Sequence, residues 1–331
     1  MGMCLYCRQR RADSEDHIFP RFLGGKRTIS ACRPCNSKFG HVFEGAAARE
    51  LEPIYVLLAK WGVPIPPRDQ LWRNAFEASN AQMHLGVGEM GVRAESAKPI
   101  IVKDAEGKIT EALFADPRQL AVFNETMNRR YPDQRWEPVE KIVRTDLRGL
   151  KLELRLGWAV QQLALKMAVA SASLLPNVTA SDLQGAANTL HEPACEYHPR
   201  VSSDLPRNTS SLARPALCHS IYVERSNGRL SALVELFGAI RYFVHLADLS
   251  SAAQDSSQFI YLDPVCAREE FQSVAPLMLG TLPLGYTADQ MIQIQLDIVR
   301  ALGEGAVARG ATSLPSGKIT ARLPISGDIR T

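Results

Sequence analysis

Four cysteines near the start of the chain form two pairs of one spacing, Cys4-x2-Cys7 and Cys32-x2-Cys35, with 24 residues between the pairs. Two residues between thiols let a tight turn aim both sulfurs at one ion, and two such turns complete a tetrahedral set. Four thiolates leave no open position on the metal, so the ion they select is a structural zinc. Between the pairs lie Glu15-Asp16-His17-Ile18-Phe19-Pro20 and Leu23-Gly24-Gly25. Asn36 follows the fourth cysteine directly, and Phe39-Gly40 and Glu44 come soon after. An imidazole titrates near neutrality and suits a general base, while a carboxylate and a carboxamide are oxygen donors for a hard cation. Taken singly, the Asp16-His17 pair is an ordinary polar pair and Asn36 an ordinary helix N-cap.

In order, Cys-x2-Cys, acidic-His-Ile-x-Pro, Leu-Gly-Gly, Cys-x2-Cys-Asn and Phe-Gly resemble the HNH endonuclease superfamily. The likeness is to the branch in which two zinc knuckles clamp a ββα-metal motif, and it covers residues 4–44. The resemblance implies a metal-dependent endonuclease that hydrolyses phosphodiester bonds of DNA and leaves 5′-phosphate and 3′-hydroxyl ends. It assigns His17 as the general base and Asp16 with Asn36 as holders of magnesium or manganese, Glu15 being an alternative ligand to Asp16. One helical turn after Asn36, where other branches place a third ligand, stands Gly40, which cannot coordinate. His41 is turned about 140° from Asn36 on a helix of 3.6 residues per turn. His41, Glu44 and Glu15 are therefore placed around the centre, outside direct coordination, with a solvated helix face equally open for Glu44. The middle polar residue of the HNH signature has no clear counterpart, Thr28 and Ser30 being nearest. That gap and the absent third ligand support a rival reading, a non-catalytic zinc module that binds nucleic acid or a protein partner. Analogy with similar architectures adds a setting in bacterial defence or a mobile element.

Charge follows the cysteines. Residues 1–50 hold nine Lys and Arg against five Asp and Glu, whereas the remainder holds 29 against 30, so the net +3 belongs to the N-terminus. Arg10, Arg11, Lys26, Arg27, Arg33 and Lys38 surround the motif and are candidates for phosphate contacts, which position nucleic acid without reading its sequence. The expected partner is double-stranded DNA. The 46% hydrophobic composition excludes global disorder and collagen. No secretory signal is recognisable, and the most apolar stretch, Gly157 to Leu175, is interrupted by Gln161, Gln162 and Lys166, so no membrane association and a cytoplasmic location are expected.

These residues need elements to position them. Because neighbouring strand residues face opposite ways, Asp16 and His17 can share a site only at a strand end. A strand ending near His17, a second strand over Thr28 to Ala31 and a helix beginning near Asn36 meet that need. A segment of this size buries too little apolar surface to fold alone, and zinc binding worth about 10–16 kcal/mol would decide the matter. The chain is expected to be α+β: a zinc-stabilised ββα-metal module over 1–50, a helix and linker over 51–68 containing Pro64-Ile65-Pro66-Pro67, and a larger mixed domain over 69–331. That domain is assigned a recognition, regulatory or oligomerisation role, with a homo-oligomer or a regulatory partner bound through it. Helices are predicted over Ile54 to Trp61, Pro117 to Arg130, Leu156 to Leu175 and Met291 to Leu302. Strands are predicted over Val92 to Val102, Lys108 to Phe114 and Trp136 to Val143. A hairpin is expected at Asn227-Gly228 and a split or bulge at Gly238, with a long loop over 192–215. Cys195-x2-His198 and Cys218-His219 read as buried thiols and surface histidines rather than a second zinc site.

Overall fold

The protein is described from a computed structural model, over residues 2–63, 71–78, 81–88, 91–96, 100–107, 109–113, 117–130, 156–195, 198–203, 212–249, 254–277, 279 and 288–311. It is mixed α+β and divides into two compact units. One lies within Met1–Leu51, Trp61–Pro67 and Leu154–Thr331, the other within Glu52–Lys60 and Arg68–Glu153.

The first unit begins with strands β1 (Ser14–His17) and β2 (Thr28–Ala31), antiparallel, with Asp16 opposite Ile29 and His17 opposite Thr28. Their connection carries a short 3-10 turn, Arg21–Leu23, and buries Ile18, Phe19 and Leu23. Helix α1 (Arg33–Phe39) starts three residues earlier than expected, because Cys32 is its N-cap and Pro34 suits the first turn, where its missing N–H costs nothing. One wide turn, Gly40–Glu44, leads into α2 (Gly45–Lys60), which passes into the second unit at Glu52 and takes in most of the predicted Ile54 to Trp61 helix. Tyr6, Phe39 and Phe43 close the small core, Tyr6 meeting Phe39 edge-on with ring centroids 4.9 Å apart.

The second unit holds an antiparallel meander of β3 (Leu71–Ala78), β4 (Ala81–Gly88) and β5 (Gly91–Ser96). A hairpin of β6 (Ile100–Lys103) and β7 (Ile109–Leu113) follows, then α3 (Pro117–Arg130). The single strand predicted from Val92 to Val102 is thus two strands, a turn closed by the Gly107 N–H on the Asp104 carbonyl at 3.0 Å leads towards β7, and the helix predicted from Pro117 is present. The strand predicted over Trp136 to Val143 lies outside the described residues.

The rest of the first unit is a helix on a sheet. Helix α4 (Trp158–Ala172) is buried at all but two positions, as its continuous apolar sequence requires. The short α5 (Gln184–Thr189) follows, and β8 (Val201–Ser203) interrupts the expected long loop. Next come β9 (His219–Ser226), β10 (Arg229–Leu236), β11 (Ile240–Asp248), β12 (Ser256–Asp263) and β13 (Arg268–Ser273), then α6 (Ala288–Ala308), longer at both ends than predicted. The six strands form one antiparallel sheet in the order β13-β12-β9-β10-β11-β8. Asn227-Gly228 makes the two-residue hairpin loop with φ of 51° and 70°, and Phe237-Gly238 turns β10 into β11 with φ of 55° and 65°. Phe259, Tyr222, Leu233 and Phe243 stand side by side across four strands on one face. The other face receives α4, where Gln258 of β12 donates to the Ser171 hydroxyl at 3.2 Å.

Candidate active site

The thiol groups of Cys4, Cys7, Cys32 and Cys35 converge with all four sulfurs within 4.8 Å of one another. Cys7 and Cys32 sulfurs are 3.8 Å apart, the separation expected of tetrahedral ligands each about 2.3 Å from zinc. The residues fit the ion. Among the described residues this is the one group of three or more His, Cys, Asp and Glu side chains placed to hold a metal. Cys218 is buried as expected, but Cys195 is exposed, and His198 and His219 are buried in the interior rather than on the surface; none of them belongs to this group. His191 joins the cluster from outside the module: its Nε2 lies 3.9 Å from the Cys35 sulfur and its ring packs on Phe39.

β1 ends at His17, as positioning required. His17 is half-buried, and its Nε2 faces the Arg21 Nε at 3.3 Å. Burial of the ring, and then the Arg21 cation, hold its pKa below the usual histidine range, so at neutral pH the ring keeps the Nε2 lone pair that accepts from Arg21. The backbone N–H of Ile18 donates to the Arg27 carbonyl at 3.0 Å and fixes the chain as it leaves the strand. Gly25 then passes so close to the Phe19 carbonyl that a Cβ would stand 1.7 Å from its oxygen. The second glycine of the Leu-Gly-Gly motif is therefore dictated by contact rather than by its φ.

Asn36 sits on α1 facing the strand. Its Nδ2 donates to the Ser14 hydroxyl at 3.0 Å and to the Glu15 carbonyl at 2.9 Å, and its Oδ1 accepts from no described residue. Ser14 and Asp16 alternate onto one face of β1, so Asn36 braces the face that carries Asp16. Glu15 is exposed on the opposite face, away from Asp16, and His41 is exposed as well.

Asp16 is 3% exposed, and both of its oxygens are engaged. Tyr6 donates its hydroxyl to Oδ2 at 2.6 Å, and the ammonium of Lys166, from α4, donates to Oδ1 at 2.6 Å. Lys166 also contacts the Glu44 carboxylate and the His17 carbonyl, the latter at 3.3 Å, so all three of its N–H bonds have acceptors. Burial, and next the Asp16 charge, push the Tyr6 hydroxyl well above its ordinary pKa, so it stays a donor. This arrangement does not fit a divalent ion held directly by Asp16. The carboxylate has no free oxygen, and a second cation would face the Lys166 charge across a few ångströms. Glu44, placed by sequence around the centre but outside direct coordination, holds Lys166.

Sequence reasoning missed Lys166, Tyr6 and Glu269. Lys166 carried a usable signal, since a lysine inside an otherwise apolar helix must find acceptors where it is buried. Glu269, on β13, accepts the backbone N–H groups of Lys26 at 2.6 Å and Arg27 at 3.0 Å and so pins the β1–β2 connection. Arg10, Arg11, Lys26, Arg27, Arg33 and Lys38 are all exposed. The Arg27 guanidinium lies 5.7 Å from the Phe271 ring centre, and Lys38 reaches the His191 carbonyl at 3.3 Å.

No helix among the described residues is long and apolar enough to cross a membrane. No curated protein and no solved structure matches the chain. Residues 4–52, which carry the four-cysteine cluster, the β1–β2 hairpin and α1, match a family model described as HNH endonuclease, consistent with an HNH segment at the N-terminus.

Proposed function

We propose that the N-terminal module is an endonuclease that hydrolyses phosphodiester bonds of DNA, with His17 as the general base. The observation that carries the reading is the half-exposed imidazole of His17 at the end of β1, held neutral in a frame of two zinc knuckles. In this reaction His17 takes a proton from water, the water oxygen bonds to phosphorus, and the bond to the 3′-oxygen breaks. The 3′-oxygen takes a proton from solvent, which leaves a 3′-hydroxyl and a 5′-phosphate. Arg21 points at the same imidazole nitrogen from an exposed position. A phosphate that draws its guanidinium away frees that lone pair for the water, so substrate binding would switch the base on. Arg10, Arg11, Lys26, Arg27, Arg33 and Lys38 supply positive charge along the backbone of the nucleic acid. Asn36 keeps β1 in register with α1, and zinc on the four cysteines holds both.

His17→Ala tests the reading on plasmid DNA. The variant is expected to retain zinc and fold while cleavage falls by about 10²–10⁴, the usual contribution of a general base; undiminished cleavage removes His17 from the role. One observation favours the rival class, a nucleic-acid-binding module without catalysis, namely the ion pair that occupies Asp16. Salt-sensitive DNA binding with no cleavage by the wild-type chain, with magnesium or without, would decide for that rival.

A further inference from the structure

We propose that Lys166 is the resident cation of the HNH-like centre, its ammonium standing against Asp16 where a divalent ion would otherwise bind. What this does for catalysis rests on the endonuclease reading; the occupancy itself does not.

The acceptors around the Lys166 ammonium are Asp16 Oδ1 at 2.6 Å, the Glu44 carboxylate and the His17 carbonyl at 3.3 Å. All three are oxygens of the N-terminal module, two anionic and one from the backbone. A hard divalent ion selects that donor set. Two carboxylates brought together in a buried place repel unless a cation lies between them. The module supplies the carboxylates, and α4 supplies the cation.

Lys166 is also poorly placed to leave. It is 0% exposed, and its neighbours Leu163, Leu165, Met167 and Val169 on α4 are buried as well. An ammonium withdrawn from its acceptors would remain in that apolar surrounding, an outcome far costlier than the loss of one exposed ion pair. Tyr6 holds the second oxygen of Asp16 from another side and fixes the carboxylate towards Lys166. The contact to the His17 carbonyl lies on the backbone of the proposed base. Lys166 is thus a positioning residue, which keeps the end of β1 and its imidazole in place through Asp16 and the His17 carbonyl.

Manganese binding by the zinc-loaded full chain tests this without reference to cleavage. Electron paramagnetic resonance of added Mn²⁺ is expected to show no bound ion that depends on Asp16, so wild type and Asp16→Asn should give the same titration. Lys166→Ala leaves two carboxylates and a carbonyl around an empty volume. It is expected to bind one Mn²⁺ per chain and to lose that ion when combined with Asp16→Asn. A Lys166→Ala chain that keeps its zinc and fold but binds no manganese overturns the equivalence between ammonium and metal. For a readout independent of any variant, Mn²⁺ is added to isotopically labelled wild type. Amide signals of Asp16 and His17 are expected to keep their widths, and their selective broadening by one equivalent would show that a divalent ion displaces Lys166 and would overturn the proposal. A chain that never cuts DNA would end the endonuclease reading and leave these results intact.

Discussion

Gly25 and His219 show how single residues carry constraint away from the proposed chemistry. A Cβ on Gly25 would sit 1.7 Å from the backbone oxygen of Phe19, which cannot move aside as a flexible side chain would. Gly25→Ala should therefore destabilise the module by about 1–3 kcal/mol, as overpacking does, read as a lower unfolding midpoint with normal zinc content. His219 is fully buried, and its Nδ1 accepts the backbone N–H of Phe237 at 3.2 Å, so the ring is neutral with its proton on Nε2. Burial lowers its pKa to about 3. An unfolded histidine titrates at about 6.5, so between these values the unfolded chain binds the additional proton and stability is lost as pH falls. Urea midpoints should drop from about pH 7 to about pH 4.5 in wild type and drop less in His219→Gln; equal drops would remove His219 from the effect. The sequence made the four cysteines and His17 legible because ligand spacing and motif order are local. Tyr6, Lys166 and Glu269 were not legible, because each acquires its role from a partner at least ten residues away.

Among the elements, the order β1, β2, α1 was readable from the turn glycines and the second cysteine pair, while the start of α1 at Arg33 was missed because Pro34 was not read as a first-turn residue. The hairpin at Asn227-Gly228 was readable because both turn residues need positive φ. Strands β12 and β13 were not picked out. β12 is covered on both faces and lacks an alternating pattern, and β13 alternates only weakly. Zinc should matter most to the N-terminal elements. Their backbone is tied together by four thiols and a small core, whereas the six-stranded sheet has its own aromatic row and α4 behind it. Removal of zinc by a chelator is expected to abolish amide-exchange protection in β1, β2 and α1 while β9 to β12 remain protected. Simultaneous loss in both would show that zinc holds the whole unit.

For the molecule as a whole, the module is not an appendage. It shares one compact unit with the sheet and α4, joined by Lys166 to Asp16, by Arg8 to Ser181 at 2.6 Å and by Glu269 to the β1–β2 connection. Sequence composition could not show this, since a near-neutral remainder is compatible with either a separate or a packed module. Positive charge is concentrated on the module, so DNA binding should weaken steeply with salt. Arg11→Ala should reduce the slope of log affinity against log salt by about 1, measured by fluorescence anisotropy. An unchanged slope would take Arg11 out of the interface. Hydrolysis by His17 is decided by one comparison: plasmid cleavage by zinc-loaded wild type against His17→Ala, with zinc content measured for both. Wild type is expected to give nicked or linear DNA with 5′-phosphate ends and the variant a loss of about 10²–10⁴; equal cleavage by the two proteins would show that His17 is not the base.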